Sequence, residues 1–192
     1  MDNFKRPYFS RNLSEFWTRW HISLSSWVRD YIFLPLAYKL SYSKHKYFAS
    51  NNKLIYLIST TVTMSIIGIW HGTGTGFLIW SLIHIVFLYY GFVYKKKKAR
   101  VFKSIIKSAG IRNTISIFVT FILITFSWIF FRAESAEQLV SIFKGFNNSY
   151  SYQLLISFLK ENGIFPIEVA LCFVFPVFLF FIEYLIEKRG TV

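Results

Sequence analysis

The 192-residue chain holds a single cysteine, Cys172, set inside an apolar run. No disulfide can close within the chain and no cysteine metal cluster is possible, so Cys172 reads as core packing. Acidic side chains are also scarce, nine against 22 Lys and Arg, and the net charge is +13. Such a surplus suits nucleic acid. Here, however, the basic residues flank apolar segments instead of forming a soluble basic domain, which argues against nucleic acid and for membrane topology. Met1 to Arg11 is polar and basic with scattered aromatics, and lacks the short apolar core and small-residue cleavage site of a secretory signal. Insertion therefore falls to later segments. No G-x-S-x-G, H-E-x-x-H or G-x-x-x-x-G-K-[ST] occurs, which leaves serine-hydrolase, zincin and P-loop readings without a motif.

Apolar residues are abundant, at 54% with 21% aromatic, more than a soluble domain of this length needs for its core. Lipid is the implied solvent and an all-α polytopic bundle the implied fold. Leu13, Phe16, Trp17, Trp20, Leu24, Trp27, Val28 and Tyr31 recur at steps of three and four, which predicts one amphipathic helix with a broad aromatic stripe. Asn12 and Glu15 are placed to start it as a capping box, and Pro35 to stop it. Arg11, Glu15, Arg19 and Arg29 make it too charged to cross lipid alone, so an interfacial or re-entrant position is expected.

Leu54 to Trp70 is a run of 17 uncharged residues, at the lower end of the roughly 17 to 25 a transmembrane helix uses. The glycine-rich break Gly72-Thr73-Gly74-Thr75-Gly76 leads to a second run, Phe77 to Tyr94, and the pair predicts a helical hairpin. Thr114 to Phe131 gives a third span. Ile164 to Ile186 gives a fourth, interrupted by Pro166, Pro176, Glu168 and Glu183. The reading is one membrane domain over 1–192, with an interfacial segment over 1–53, the hairpin over 54–94 and two further spans within 114–186. Lys39, Lys44, Lys46 and Lys53 lie in the connection just before the first span, eight basic residues lie between Lys95 and Arg112, and Lys188 and Arg189 follow the last. Such residues favour the cytoplasmic side, which points the C-terminus inward and the glycine break outward. The Lys95 to Lys98 run reads as a topology signal and only weakly as a lipid-binding patch.

An ionisable group within apolar helices is expensive, roughly 2.5 to 3.5 kcal/mol for the charged form on the mildest scale, so it is paired, wetted or functional. His21, His71 and His84 fit that description, whereas His45 lies in a Lys-rich connection. His21 shares the apolar stripe of its helix, and His71 ends the first span before glycines that permit close approach to the backbone. His84 is more than three turns into the second helix, where a hydrogen-bonded core histidine is the commoner outcome. A neutral imidazole in a partly dry pocket can take a proton from a hydroxyl as that oxygen attacks an acyl carbonyl. Two other readings stay open. One is a non-enzymatic scaffold or export subunit whose histidines bridge helices; the other is a metal site on His21, His71 and His84, for which no carboxylate spacing speaks.

Several longer motifs occur in order: Asn3-Phe4-Lys5-Arg6-Pro7-Tyr8, Glu15-Phe16-Trp17-Thr18-Arg19-Trp20-His21, Trp27-Val28-Arg29-Asp30-Tyr31-Ile32, Gly68-Ile69-Trp70-His71-Gly72, Trp80-Ser81-Leu82-Ile83-His84 and Phe126-Ser127-Trp128-Ile129-Phe130-Phe131-Arg132-Ala133. Together they resemble the membrane-bound O-acyltransferase family, nearest its bacterial alginate O-acetyltransferase branch. The resemblance runs from about residue 3 to about residue 140. It aligns His71 with the family's catalytic histidine and His21 with its second active-site histidine, both lining a tunnel. It implies His71 as general base, His21 as a positioning or polarising group, and Trp17, Trp20, Trp70, Trp80 and His84 as tunnel-lining candidates.

The resemblance also implies an acyl thioester donor or carrier on the cytoplasmic side, no bound cofactor, and an acceptor polysaccharide or partner acetyltransferase protein on the outer side of the cytoplasmic membrane. A related branch transfers D-alanine to teichoic acids. In the family's pattern many spans precede the Asn-Phe-x-Arg-Pro segment, so the expectation is a fragment of a longer or split acyltransferase, or a misassigned start, inactive when expressed alone.

Overall fold

The computed structural model describes residues 2–133 and 135–147, together with 178, 181, 182 and 185. The chain divides into two compact units, Met1–Ser141 and Ile142–Val192. The first contains every candidate site residue, and the expected fourth span, Ile164 to Ile186, lies outside the described residues apart from isolated positions.

Among the described residues, three helices are long and apolar enough to cross a membrane. With the shorter helices numbered ahead of them, these are α5 (Asn52–His71), α6 (Thr75–Ile105) and α7 (Ala109–Arg132). Asn51 caps α5 by accepting the Leu54 N–H at 3.1 Å, a satisfied donor at an end where four would otherwise be orphaned. Helix α5 stops at Gly72, whose φ of 149° is strained for any residue with a Cβ. Helix α6 packs against both α5 and α7 and is the middle of the three. Gly76, in its first turn, allows the carbonyls of Phe130 and Ala133 at the end of α7 to approach so closely that a methyl group there would overlap them. The glycines of the break therefore admit a neighbouring backbone, as their spacing anticipates.

The outward positions of these helices are apolar. Val62, Ile66, Leu82, Val86, Phe118 and Ile122 are all exposed, an arrangement suited to lipid and not to water. The inward positions form one core in which Met64, Ile67, Trp80, Ile85, Leu88 and Ile124 meet Leu13, Phe16 and Val28 of the N-terminal segment.

That segment departs from the expected single helix. It consists of α1 (Leu13–Arg19) and α2 (Ile22–Val28), then a π-helical stretch Arg29–Phe33 and α3 (Leu34–Ser41). A short helix α4 (Lys46–Ala49) follows, and α8 (Ala136–Asn147) comes after α7. The capping pattern holds at the start, with the Asn12 Oδ1 accepting the Glu15 N–H at 2.9 Å. The Glu15 carboxylate reaches back to the N–H of Arg11 instead of Asn12.

The break after α1 falls at Trp20 and His21, and His21 adopts the left-handed conformation with φ 46°. This conformation is uncommon for a residue with a side chain and costs of order 1–2 kcal/mol. The N-terminal strand of chain offsets that cost. The Asn3 carbonyl accepts the Ile22 N–H at 2.9 Å, its side-chain oxygen accepts the Ser23 N–H at 3.0 Å, and the Lys5 N–H donates to the Arg19 carbonyl at 2.8 Å. Asn3 thus caps α2 from 20 residues away.

Pro35 does not stop the helix either. The π turn before it lets the Leu34 N–H reach the Arg29 carbonyl, and Pro35 then lies in the first turn of α3, where its missing N–H leaves no bond unmade.

Candidate active site

His71 is the last residue of α5, and its ring is half-buried among aromatic rings. Trp70 and Phe131 approach edge-on with centroids at 4.8 Å, Trp80 edge-on at 5.9 Å, and Phe77 lies roughly parallel at 6.0 Å. These rings come from the ends of three helices, because the sharp turn at Gly72 returns the chain beside itself and Gly76 draws in the end of α7. The His71 ring makes no hydrogen bond to another described residue, so its nitrogens are available to a reactant.

His21 lies next to this cluster. Trp70 bridges the two imidazoles, 4.8 Å from His71 and 6.4 Å from His21. The Nδ1 of His21 is buried without a partner among the described residues, as is the Nε1 of Trp80. A buried polar atom left unpaired costs about 1–3 kcal/mol. A left-handed backbone and an orphaned ring nitrogen at the same residue are the combination expected where a site is held ready for a ligand.

His84 is different in kind. It is 1% exposed, its Nδ1 accepts the Trp17 indole N–H at 3.3 Å, and its Nε2 lies 3.1 Å from the Ser127 hydroxyl. That hydroxyl donates to the Ile124 carbonyl at 2.7 Å, so it can only accept from His84. The network assigns a neutral imidazole with its proton on Nε2. Both nitrogens are therefore spent on joining α1, α6 and α7.

Of the aromatic residues singled out in the sequence, Trp70 and Trp80 border His71 directly. Trp80 is 4% exposed and Trp70 is 63% exposed. Trp17 stands behind Trp80, 5.9 Å from it, within the His84 cluster. Trp20 turns away into a group of its own with Phe4 at 4.9 Å, Phe16 at 5.5 Å and Trp128 at 5.6 Å. Three contributors escaped the sequence reading: Phe131 as a ring packed edge-on against His71, Ser127 as the partner of His84, and Asn3 as the clamp beneath His21. All three lie inside motifs already quoted, but nothing local in the chain names their partners.

The metal reading is not supported by this geometry. No three His, Cys, Asp or Glu side chains gather among the described residues, and both nitrogens of His84 are already engaged.

Beside His21, the α1 helix carries a small ion-pair network. Glu15 meets Arg19 at 2.8 Å and Arg11 at 3.2 Å. Burial works to raise the Glu15 pKa, but the Arg11 N–H and guanidinium, with Arg19, outweigh it and hold the carboxyl below the usual carboxylate range.

The arrangement defines a polytopic helical membrane protein with two histidines grouped among aromatic rings at the end of a span. No family model matches the chain. Curated relatives do. A protein from Pseudomonas syringae pv. tomato named probable alginate O-acetylase AlgI is 33% identical over 141 residues, covering 70% of this chain and 22% of its own length. A peptidoglycan O-acetyltransferase from Helicobacter pylori is 32% identical, covering 74% of this chain and 24% of its own length. A teichoic acid D-alanyltransferase from Streptococcus thermophilus is 31% identical, with 67% and 32% covered. Over the matched stretch the chain is similar to these members of the membrane-bound O-acyltransferase family. It spans between 22% and 32% of the length of these three relatives.

Proposed function

We propose that this chain carries the histidine centre of an O-acyltransferase that moves an acetyl-like group from a thioester donor onto hydroxyls of a cell-envelope polysaccharide. The observation that carries the reading is the state of His71: half-buried, walled by four aromatic rings, with no hydrogen bond to a described residue and with a second histidine one indole away.

In this reading the neutral His71 imidazole accepts the proton of the acceptor hydroxyl as its oxygen attacks the thioester carbonyl. The tetrahedral intermediate collapses with cleavage of the C–S bond. The imidazolium then returns the proton to the departing thiolate, so ester and thiol are the products and the imidazole is regenerated. His21 presents its unpaired Nδ1 to a reacting group, and Trp70 and Trp80 shape the approach. His84 acts as a positioning residue through Trp80, whose ring lies 4.5 Å from it.

The distribution of Lys and Arg supports a cytoplasmic C-terminus in the cytoplasmic membrane, a donor or carrier arriving from the inside, and an acceptor or partner acetyltransferase protein on the outside. Transfer of D-alanine to teichoic acid is the alternative within the class, and the name of the Streptococcus thermophilus relative supports keeping it.

The test is His71→Ala in the complete membrane-embedded acyltransferase, with transfer of labelled acyl group measured beside membrane insertion. General-base catalysis contributes about 10²- to 10⁴-fold, so transfer falls by that factor while insertion is retained. Unchanged transfer removes His71 from the chemistry.

A further inference from the structure

A cavity of about 580 Å³, lined by none of the histidines, opens toward the C-terminal end of α6. Its rim carries Arg11, Lys95, Lys98, Lys103 and Arg112, and no Asp or Glu lines it. Two of these cations are already used. Arg11 pairs with Glu15, and Arg112 donates to the carbonyls of Ile106 and Lys107 at 2.7 and 2.6 Å, fastening the turn between α6 and α7. Lys95, Lys98 and Lys103 form no ion pair with any described residue. The wall beneath them is apolar and includes Phe87, Phe92 and Phe102.

The length of α6 explains why these groups meet. Its 31 residues extend about 46 Å at 1.5 Å per residue, while the hydrocarbon layer is about 30 Å thick. The uncharged Phe77 to Tyr94 stretch fills that layer, so the helix continues with Lys95 to Lys103 at the level of the headgroups. The cavity is cationic at its rim and aromatic below, which matches an amphiphile with an anionic head and a hydrocarbon tail. Basic pockets between spans at this level hold anionic headgroups.

We propose that this cavity is a binding site for an anionic phospholipid, its phosphate held by Lys95, Lys98 and Lys103 and an acyl chain lying along Phe92 and Phe102. None of His21, His71 and His84 lines the site, and it does not depend on the proposed chemistry.

Native mass spectrometry of the purified full-length membrane protein tests this, with phosphatidylglycerol and phosphatidylcholine of matched acyl chains as probes. Phosphatidylglycerol is expected to bind at least about tenfold more tightly than phosphatidylcholine, and millimolar inorganic phosphate is expected not to displace it. The combined Lys95→Gln, Lys98→Gln and Lys103→Gln variant is expected to lose the preference, and the corresponding triple Arg variant to retain it, which separates loss of charge from misfolding. Equal binding of the two lipids by the wild type overturns the proposal. So does a preference that survives in the Gln variant, or displacement by inorganic phosphate, which would make free phosphate the ligand.

Discussion

His71 and His84 both pack against one indole, that of Trp80, with ring centroids at 5.9 and 4.5 Å, yet their surroundings are opposites. His84 has both nitrogens engaged and no access. His71 has no partner among the described residues and an open side. The contrast teaches that a histidine inside a span announces only that its cost has been met, and that the manner of meeting it separates scaffold from chemistry. Where other side chains saturate the ring, the residue joins helices. Where aromatic faces border it and its nitrogens stay free, a reactant can use them.

The largest expected effect that breaks or upholds this contrast is on turnover. His71→Gln keeps a polar side chain of similar size and is expected to reduce acyl transfer about 10²- to 10⁴-fold with no shift in thermal unfolding. A loss of stability as large as that of a His84 variant would erase the distinction. Next comes His84→Ala, which leaves a cavity and strips the Trp17 indole of its acceptor. A destabilisation of about 2–4 kcal/mol is expected, read as a lower melting temperature in detergent, with transfer reduced in the surviving protein through displacement of Trp80. An unchanged melting temperature would contradict the scaffold role.

A smaller effect sharpens the account of the open side. Asn3→Ala removes the side-chain cap of α2 and is expected to cost about 1 kcal/mol, with hydrogen exchange rising at Ile22 and Ser23 and not at α5. The smallest concerns Glu15. Its carboxyl has a folded-state pKa below the ordinary one, so its contribution to stability is complete above the usual carboxylate range and lost as pH falls through the lowered value. Glu15→Gln is expected to flatten that part of the stability–pH curve, measured by melting temperature across acidic buffers.

The spans were legible in the sequence because lipid demands uninterrupted apolar runs, and Leu54 to Trp70, Phe77 to Tyr94 and Thr114 to Phe131 each lie within an observed helix. Their ends were less so. Helix α6 continues to Ile105 because Lys, Arg and Ala are good helix formers; hydropathy marks the edge of the hydrocarbon and not the end of the helix. The division between α1 and α2 left no local mark, since no glycine or proline stands at Trp20 and His21. It is stabilised by Asn3, and such a non-local clamp cannot be read from a periodicity. Pro35 misled for a related reason: a π turn absorbs the register change it imposes. At the site, the position of His71 before glycines was readable, whereas the saturation of His84 depended on Ser127, 43 residues away.

The shared Trp80 wall has a practical consequence for anyone mapping this protein by random mutagenesis. Under the proposed mechanism, a screen scored on product alone would return both imidazoles as indispensable, one as the proposed base and the other because it supports the indole they share. Only a paired readout of folding and turnover on the same variants would tell the tool from the bench it is clamped to.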